Sequence, residues 1–220
     1  MIEWQILRIQ QSLAKEIVLA TSVDESDDEL VERVKALGVE VFRGSLTDVH
    51  SRFLEILRIF KPDNFLRITG DCPLVMSKLI DEMISSFEFE NFDYLSNINP
   101  PTFPDGLDLE IVSTQTFLEL PPEELTKEEK EHVTLGLRRR PGLSKHGNFQ
   151  NRKDLSNMRW TVDYLEDFKF VKNVFKFFEG REVEFNMDDI LRGLELGSIK
   201  DNPVPHTFRN ISLIKGVEVE

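Results

Sequence analysis

The chain has 220 residues, of which 40% are hydrophobic and 30% charged, with a formal charge of −13. A chain of this length can bury about 70% of the surface it exposes when unfolded, so a real core is within reach and the disordered class is excluded. The negative charge works against nucleic acid and anionic membranes as partners.

In chain order, residues 2 to 13 read as an amphipathic helix and Glu16 to Thr21 (EIVLAT) as a buried strand. Ser26-Asp27-Asp28-Glu29 has the form of a capping box opening a helix that Gly38 closes. Val39 to Arg43 is a second strand. A helix from Thr47 to Phe60 stops before Pro62, which disfavours helical geometry at the residue in front of it. Asn64 to Thr69 is a third strand, and residues 77 to 89 form the next helix. Tyr94 to Asn97 ends a strand and leads into a proline-rich loop from Asn99 to Asp108. Leu109 to Ser113 alternates like a strand, residues 122 to 140 carry a charged helical pattern, and Met158 to Val162 returns to strand character. Helices follow at 165 to 179 and 187 to 196. Strand and helix alternating in this way is the sign of β-α-β units and a largely parallel sheet.

One cysteine, Cys72, excludes an intramolecular disulfide and a cysteine metal cluster. That usage fits a reducing cytoplasm. The start Met1-Ile2-Glu3-Trp4 has no basic-then-apolar pattern, and no window approaches the roughly 20 apolar residues of a membrane helix. The whole of 1–220 reads as a single α/β domain with an elaborated C-terminal third.

Candidate chemistry gathers at strand ends. Arg67-Ile68-Thr69-Gly70-Asp71-Cys72-Pro73-Leu74 puts Asp71 just past the carboxyl end of a predicted strand, where open α/β sheets form their ligand crevice. A carboxylate in such a turn is either a hard oxygen ligand for Mg²⁺ or the cap of the next helix. Asp163 ends the predicted strand 158–162 and carries the same two readings. Two such carboxylates converging on one cation would polarise an α-phosphate for attack by a sugar hydroxyl. Pro104-Asp105-Gly106-Leu107-Asp108-Leu109-Glu110 is either an exposed acidic turn or, with Asp108 and Glu110 on one strand face, a wall for a polyhydroxylated substrate.

Other residues give weaker signals. His132 lies on a predicted helix, and His50, His146 and His206 show no metal-site grouping. Arg138-Arg139-Arg140 either attracts a nucleotide phosphate or complements a helix dipole as a solvated end. Cys72 reads as a small buried side chain. The absence of GxGxxG, Walker and GxSxG motifs removes the dehydrogenase, P-loop and α/β-hydrolase chemistries.

At these same motifs the chain resembles the spore coat polysaccharide biosynthesis protein F family, grouped with the acylneuraminate and 3-deoxy-manno-octulosonate cytidylyltransferases. The resemblance rests on EIVLATS (16–22), GVEVFRGS (38–45), RITGDCPL (67–74), YLSN (94–97) with PPTFPDGLDLEI (100–111), EHVT (131–134) and RWTVDYLEDF (159–168). It spans about residues 2–190, leaving 191–220 as a C-terminal extension. It implies a three-layer α/β/α sandwich of the nucleotide-diphospho-sugar transferase (GT-A-like) type, and Mg²⁺-dependent transfer of CMP from CTP to an acidic or modified sugar. By the same analogy Asp71 and Asp163 look like catalytic, metal-binding carboxylates and Arg67, Asn97, Asp105 and Asp108 like pocket residues. A homodimer is the expected assembly.

The chain departs from that family at its start. Family members open with a strand and a basic loop that grips the nucleotide phosphates, whereas Met1 to Ile6 resembles the helix downstream of it. The expectation is a fold lacking its first strand and nucleotide loop, with weak or no transfer activity. The competing readings are a nucleotide-sugar glycosyltransferase and a non-catalytic binding or assembly protein.

Overall fold

Apolar runs alternating with amphipathic segments become strands covered by helices on both faces, in a computed structural model that describes residues 1–204. In chain order the elements are α1 (Ile2–Ile9), β1 (Val18–Ser22), α2 (Asp28–Ala36), β2 (Glu40–Gly44), α3 (Val49–Phe60), β3 (Asn64–Arg67), α4 (Ser77–Glu90), β4 (Tyr94–Ser96) and β5 (Glu110–Ser113). Then come α5 (Thr114–Leu118), α6 (Lys127–Glu131), α7 (Leu135–Arg138), β6 (His146–Asn148), α8 (Leu165–Phe177) and α9 (Met187–Glu195). His206 and the end of the C-terminal extension lie outside the described residues.

The period-two alternation of β5 shows why the architecture is a three-layer α/β/α sandwich. Leu109 and Ile111 point to one face, where α4, α8 and α9 contribute Ile80, Met83, Phe170, Val174 and Ile190. Val112 points to the other, among Leu54 and Leu57 of α3, Phe117 of α5 and Leu137 of α7. A smaller cluster seats Ile6 of α1 on Val34, Val39 and the strand residues Leu19 and Val41.

The strands form two separate hydrogen-bonded sets, β1-β2 and β3-β5-β4-β6. β1–β2 and β4–β6 are parallel, as the β-α-β pattern requires, while β5 runs antiparallel between β3 and β4. One helix on each face bridges the sets. From α3, Arg52 donates to the Ala20 carbonyl of β1 while Phe53 packs on Phe65 of β3. From α1, Ile6 packs against Leu19 while Gln5 reaches the turn beyond β3. Among the described residues β1 and β3 are nevertheless not paired. Val23 N–H donates to Gly44 of β2, so by the parallel alternation the carbonyls of Ala20 and Ser22 face away from β2. The guanidinium groups of Arg52 and Arg43 take those two carbonyls, which is how a bare strand edge is kept satisfied.

Three sequence expectations change. The predicted strand at 158–162 is not one: only Arg159 makes a bridge, to Asp105, because this segment faces a turn rather than a ladder. The charged stretch at 122–140 breaks into a 3₁₀ turn, α6 and α7, with Val133 at a φ of 25° between the two helices. That break buries Val133 in the core and turns Thr134 inward onto Glu110. The capping box at Ser26 also fails to form. Asp24 caps a short 3₁₀ turn instead, and Asp27 bends back to the hydroxyls of Thr21 and Ser22 at 2.6 Å each.

Candidate functional site

Asp71 occupies the turn that follows β3, closed by Cys72 N–H on the Thr69 carbonyl at 3.2 Å. Gln5 of α1 clamps this turn from below, donating to the carbonyls of Thr69 (2.7 Å) and Cys72 (3.0 Å). From above, the backbone N–H of Val162 (2.9 Å) and the Thr161 hydroxyl (3.2 Å) both donate to the Asp71 carbonyl. This stitch sets Asp163, the residue after Val162, beside the Asp71 turn. Asp71 is half-buried and Asp163 exposed, so both carboxylates border solvent. The Asp71 and Asp108 charges also reach Cys72: burial pushes its thiol well above the ordinary value, and the two carboxylates push it further.

The acidic turn packs against the same segment. Asp105 N–H donates to the Met158 carbonyl and accepts at its own carbonyl from Trp160 N–H. Gly106 follows with φ of 101°, and a Cβ there would lie 2.4 Å from Thr161 N, so only glycine fits. Asn97 is fully buried. Its amide accepts from Leu109 N–H (2.9 Å) and donates to the Leu107 carbonyl (2.7 Å), bracketing Asp108 from both sides.

Arg159, absent from the sequence-based list, is the hub of the edge. Its buried guanidinium donates to Asp167 through Nε and Nη2 (both 3.0 Å), to Asp105 (3.3 Å) and to Asp163. Burial works against its charge, yet Asp167 and Asp163 hold its proton more tightly than usual. Burial likewise pushes the Asp167 carboxyl up, but Arg159, Asn202 and the amides of Asp163 and Tyr164 hold it below the usual carboxylate range. Arg159, Asp163 and Asp167 stand at intervals of four in the sequence, a signal that an ion-pair reading of this segment would have used.

Arg67 of β3 lies cross-strand from Glu110, with its Nη1 2.6 Å from Oε2. Glu110 is not a pocket wall. It is buried, and its Oε1 accepts from Tyr94 Oη and from Thr134 Oγ1 (2.6 Å). Burial pushes its carboxyl up, but Arg67 and Arg138, then Thr134 and Tyr94, hold it below the ordinary value.

The chemistry of the edge therefore comes from oxygen donors on separate segments. Asp71 and Asp163 are hard ligands of the kind Mg²⁺ takes from proteins, one or two carboxylates with phosphate and water oxygens filling the rest. Among the described residues no group of three or more metal-ligating side chains assembles.

Residues 1–186 match the family described as Cytidylyltransferase. The spore coat polysaccharide biosynthesis protein SpsF of Bacillus subtilis is 32% identical over 163 residues, which cover 73% of this chain and 67% of SpsF. A cytidylyltransferase structure from Leptospira borgpetersenii superposes with a TM-score of 0.83 at 28% identity, over 92% of this chain and 86% of that one. The structure of CMP:2-keto-3-deoxy-manno-octonic acid synthetase complexed with CTP shares the fold, with a TM-score of 0.54 at 13% identity over 80% of this chain and 87% of the other.

Proposed function

Because this chain belongs to the cytidylyltransferase family, a family of nucleotidyltransferases, we propose that it serves the transfer of CMP from CTP to an acidic or modified sugar for surface polysaccharide synthesis. The observation that carries the reading is the stitch from Val162 and Thr161 to Asp71, which draws two carboxylates from distant parts of the chain to one edge. In the reaction a sugar hydroxyl oxygen bonds to the α-phosphorus of CTP, the bond from that phosphorus to the bridging oxygen breaks, pyrophosphate leaves, and the hydroxyl proton passes to water.

Asp71 and Asp163 would hold Mg²⁺, which when bound supplies charge neutralisation and polarisation at the α-phosphate. Arg159 orients Asp163 through Nη2 and ties it to Asp105, so the acidic turn and the metal edge keep one geometry. Asn97 fixes the backbone on either side of Asp108, a candidate contact for sugar hydroxyls. Arg67 offers its charge to the substrate from β3.

The expectation of weak activity belongs to the same proposal. Three carboxylates share one guanidinium at the Arg159 hub, so the hub repels a triphosphate rather than gripping it. Among the described residues β1 and β3 each keep an unpaired edge, which a further strand could take. The rest follows the resemblance: residues 1–220 act as one domain, in the cytoplasm where CTP is made, as a homodimer. No helix among the described residues is long and apolar enough to cross a membrane.

The test is pyrophosphate release from CTP with Mg²⁺ and a panel of acidic sugars. It compares this chain with one carrying a family-like N-terminal strand and loop, and each with its Asp71→Ala variant. Activity in the extended protein that Asp71→Ala abolishes supports the proposal. Silence in every arm overturns it.

A further inference from the structure

We propose that Arg67 and Arg138, gathered around the buried Glu110, form a binding site for a carboxylate or phosphate oxyanion, the acidic group of the sugar substrate. This rests on the transfer reading for the identity of the ligand, and on the geometry alone for the site.

The charge balance at Glu110 is the first argument. Its Oε1 already accepts from Tyr94 Oη and Thr134 Oγ1, which fills both lone-pair directions, and its Oε2 accepts from Arg67. Arg138 Nε is left 4.0 Å from Oε1, beyond hydrogen-bonding reach, and is buried with no hydrogen-bond partner among the described residues. One carboxylate thus faces two guanidinium groups, and one positive charge is left over.

Both arginines reach the surface. The side chains of Arg67 and Arg138 are 20% and 18% exposed against 2% for Glu110, so each keeps some contact with solvent while the carboxylate they flank has next to none. Planar guanidinium forks are suited to the paired oxygens of a carboxylate or a phosphate.

Position links this site to the reaction. Asp108 precedes Glu110 by two residues on the same face of the chain, while Leu107 and Leu109 point to the opposite core. Two residues of extended chain span about 7 Å, the length of a sugar ring. A sugar acid anchored by its anion on the two arginines would extend toward Asp108 and the Asp71 turn.

Binding is measured by ligand-observed NMR without turnover, using N-acetylneuraminate, its methyl ester, inorganic phosphate and CTP as probes. The proteins are the wild type, Arg138→Gln, Arg138→Lys and Arg67→Lys, each checked for folding by its thermal transition. The expected result is a wild type that binds the acid at least tenfold more tightly than the ester, a preference that Arg138→Gln removes and Arg138→Lys partly keeps. Losses confined to phosphate and CTP would assign the same site to the nucleotide. Identical binding by wild type and folded variants for every probe, or no binding by any of them, overturns the site. Oxyanion binding that persists while pyrophosphate release fails in every arm would sink the transfer reading and leave the site standing.

Discussion

The Thr161 hydroxyl and the Asp71 carbonyl, 90 positions apart in the chain, meet at 3.2 Å, and the next amide, that of Val162, reaches the same oxygen. Two carboxylates that could each have been a helix cap are thereby placed at one edge. Their side chains border solvent, where a carboxylate stays hydrated at little cost to the fold.

Asp71→Asn is accordingly expected to separate chemistry from stability. Among the described residues its carboxylate accepts only from Cys72 Sγ at 3.5 Å, a weak contact. In the extended protein, pyrophosphate release should fall by about 10²-fold or more, while the stability changes by less than about 0.5 kcal/mol, as for surface positions. Paired kinetics and urea unfolding check this, and a large loss of stability would show that Asp71 is a structural residue.

Gly106→Ala should act the opposite way round, through the backbone. The added Cβ would meet Thr161 N at 2.4 Å and Trp160 C at 2.5 Å, at a φ of 101° that side chains rarely adopt. Overpacking of this kind costs about 1–3 kcal/mol or more. Because the collision pushes on the segment that holds Asp71, activity should drop further than the unfolded fraction explains. Activity per folded molecule equal to that of the wild type would remove the link between the acidic turn and the metal edge.

The helices were legible because their signals are local. Asp48 caps α3, and Leu54 and Leu57 recur on its buried face. β6 was not legible. It consists of His146, Gly147 and Asn148, has no apolar alternation, and depends on Phe92 filling the space where a Cβ at Gly147 would stand. The bend at Val133 is equally non-local, since it follows from Thr134 reaching Glu110 on another element. Of the site, the single acids Asp71 and Asp163 could be picked out by their place after apolar runs. Arg159 was legible only in part: its spacing of four to Asp163 and Asp167 is a local signal, whereas its pairing with Asp105, 54 positions away, is not.

Arg159 and Asp167 set the acid limb of stability. The folded pKa of Asp167 lies below its unfolded value of about 3.9. The stabilisation is therefore fully present above that unfolded value and is lost as pH falls through the folded one. Glu110, also held low, contributes in the same sense. Asp167→Asn should flatten the fall in stability on acidification, and Arg159→Met, which strands buried carboxylates, should cost about 3–5 kcal/mol at neutral pH. Urea midpoints between pH 3 and pH 7 read both, and an unchanged acid limb in Asp167→Asn would remove Asp167 from this role.

Cys72 offers a reporter for the turn that carries Asp71. It is buried, and its thiol is pushed well above its ordinary value, first by burial and then by the charges of Asp71 and Asp108, so little thiolate exists in the folded protein. Since the thiolate is the nucleophile, iodoacetamide at pH 8 should modify it only through openings of the turn. Gln5 holds that turn shut with two hydrogen bonds from α1. Gln5→Ala removes one of the two hydrogen bonds that each of the Thr69 and Cys72 carbonyls accepts, a cost of about 0.5–1.5 kcal/mol per bond that favours the open form. Labelling should then speed up by about tenfold or more in Gln5→Ala, whereas Asp71→Asn, which leaves the dominant burial in place, should label almost as slowly as the wild type. Rapid labelling of the wild type, or equal rates for wild type and Gln5→Ala, would mean that α1 does not clamp the turn and that Asp71 is held by Thr161 and Val162 alone.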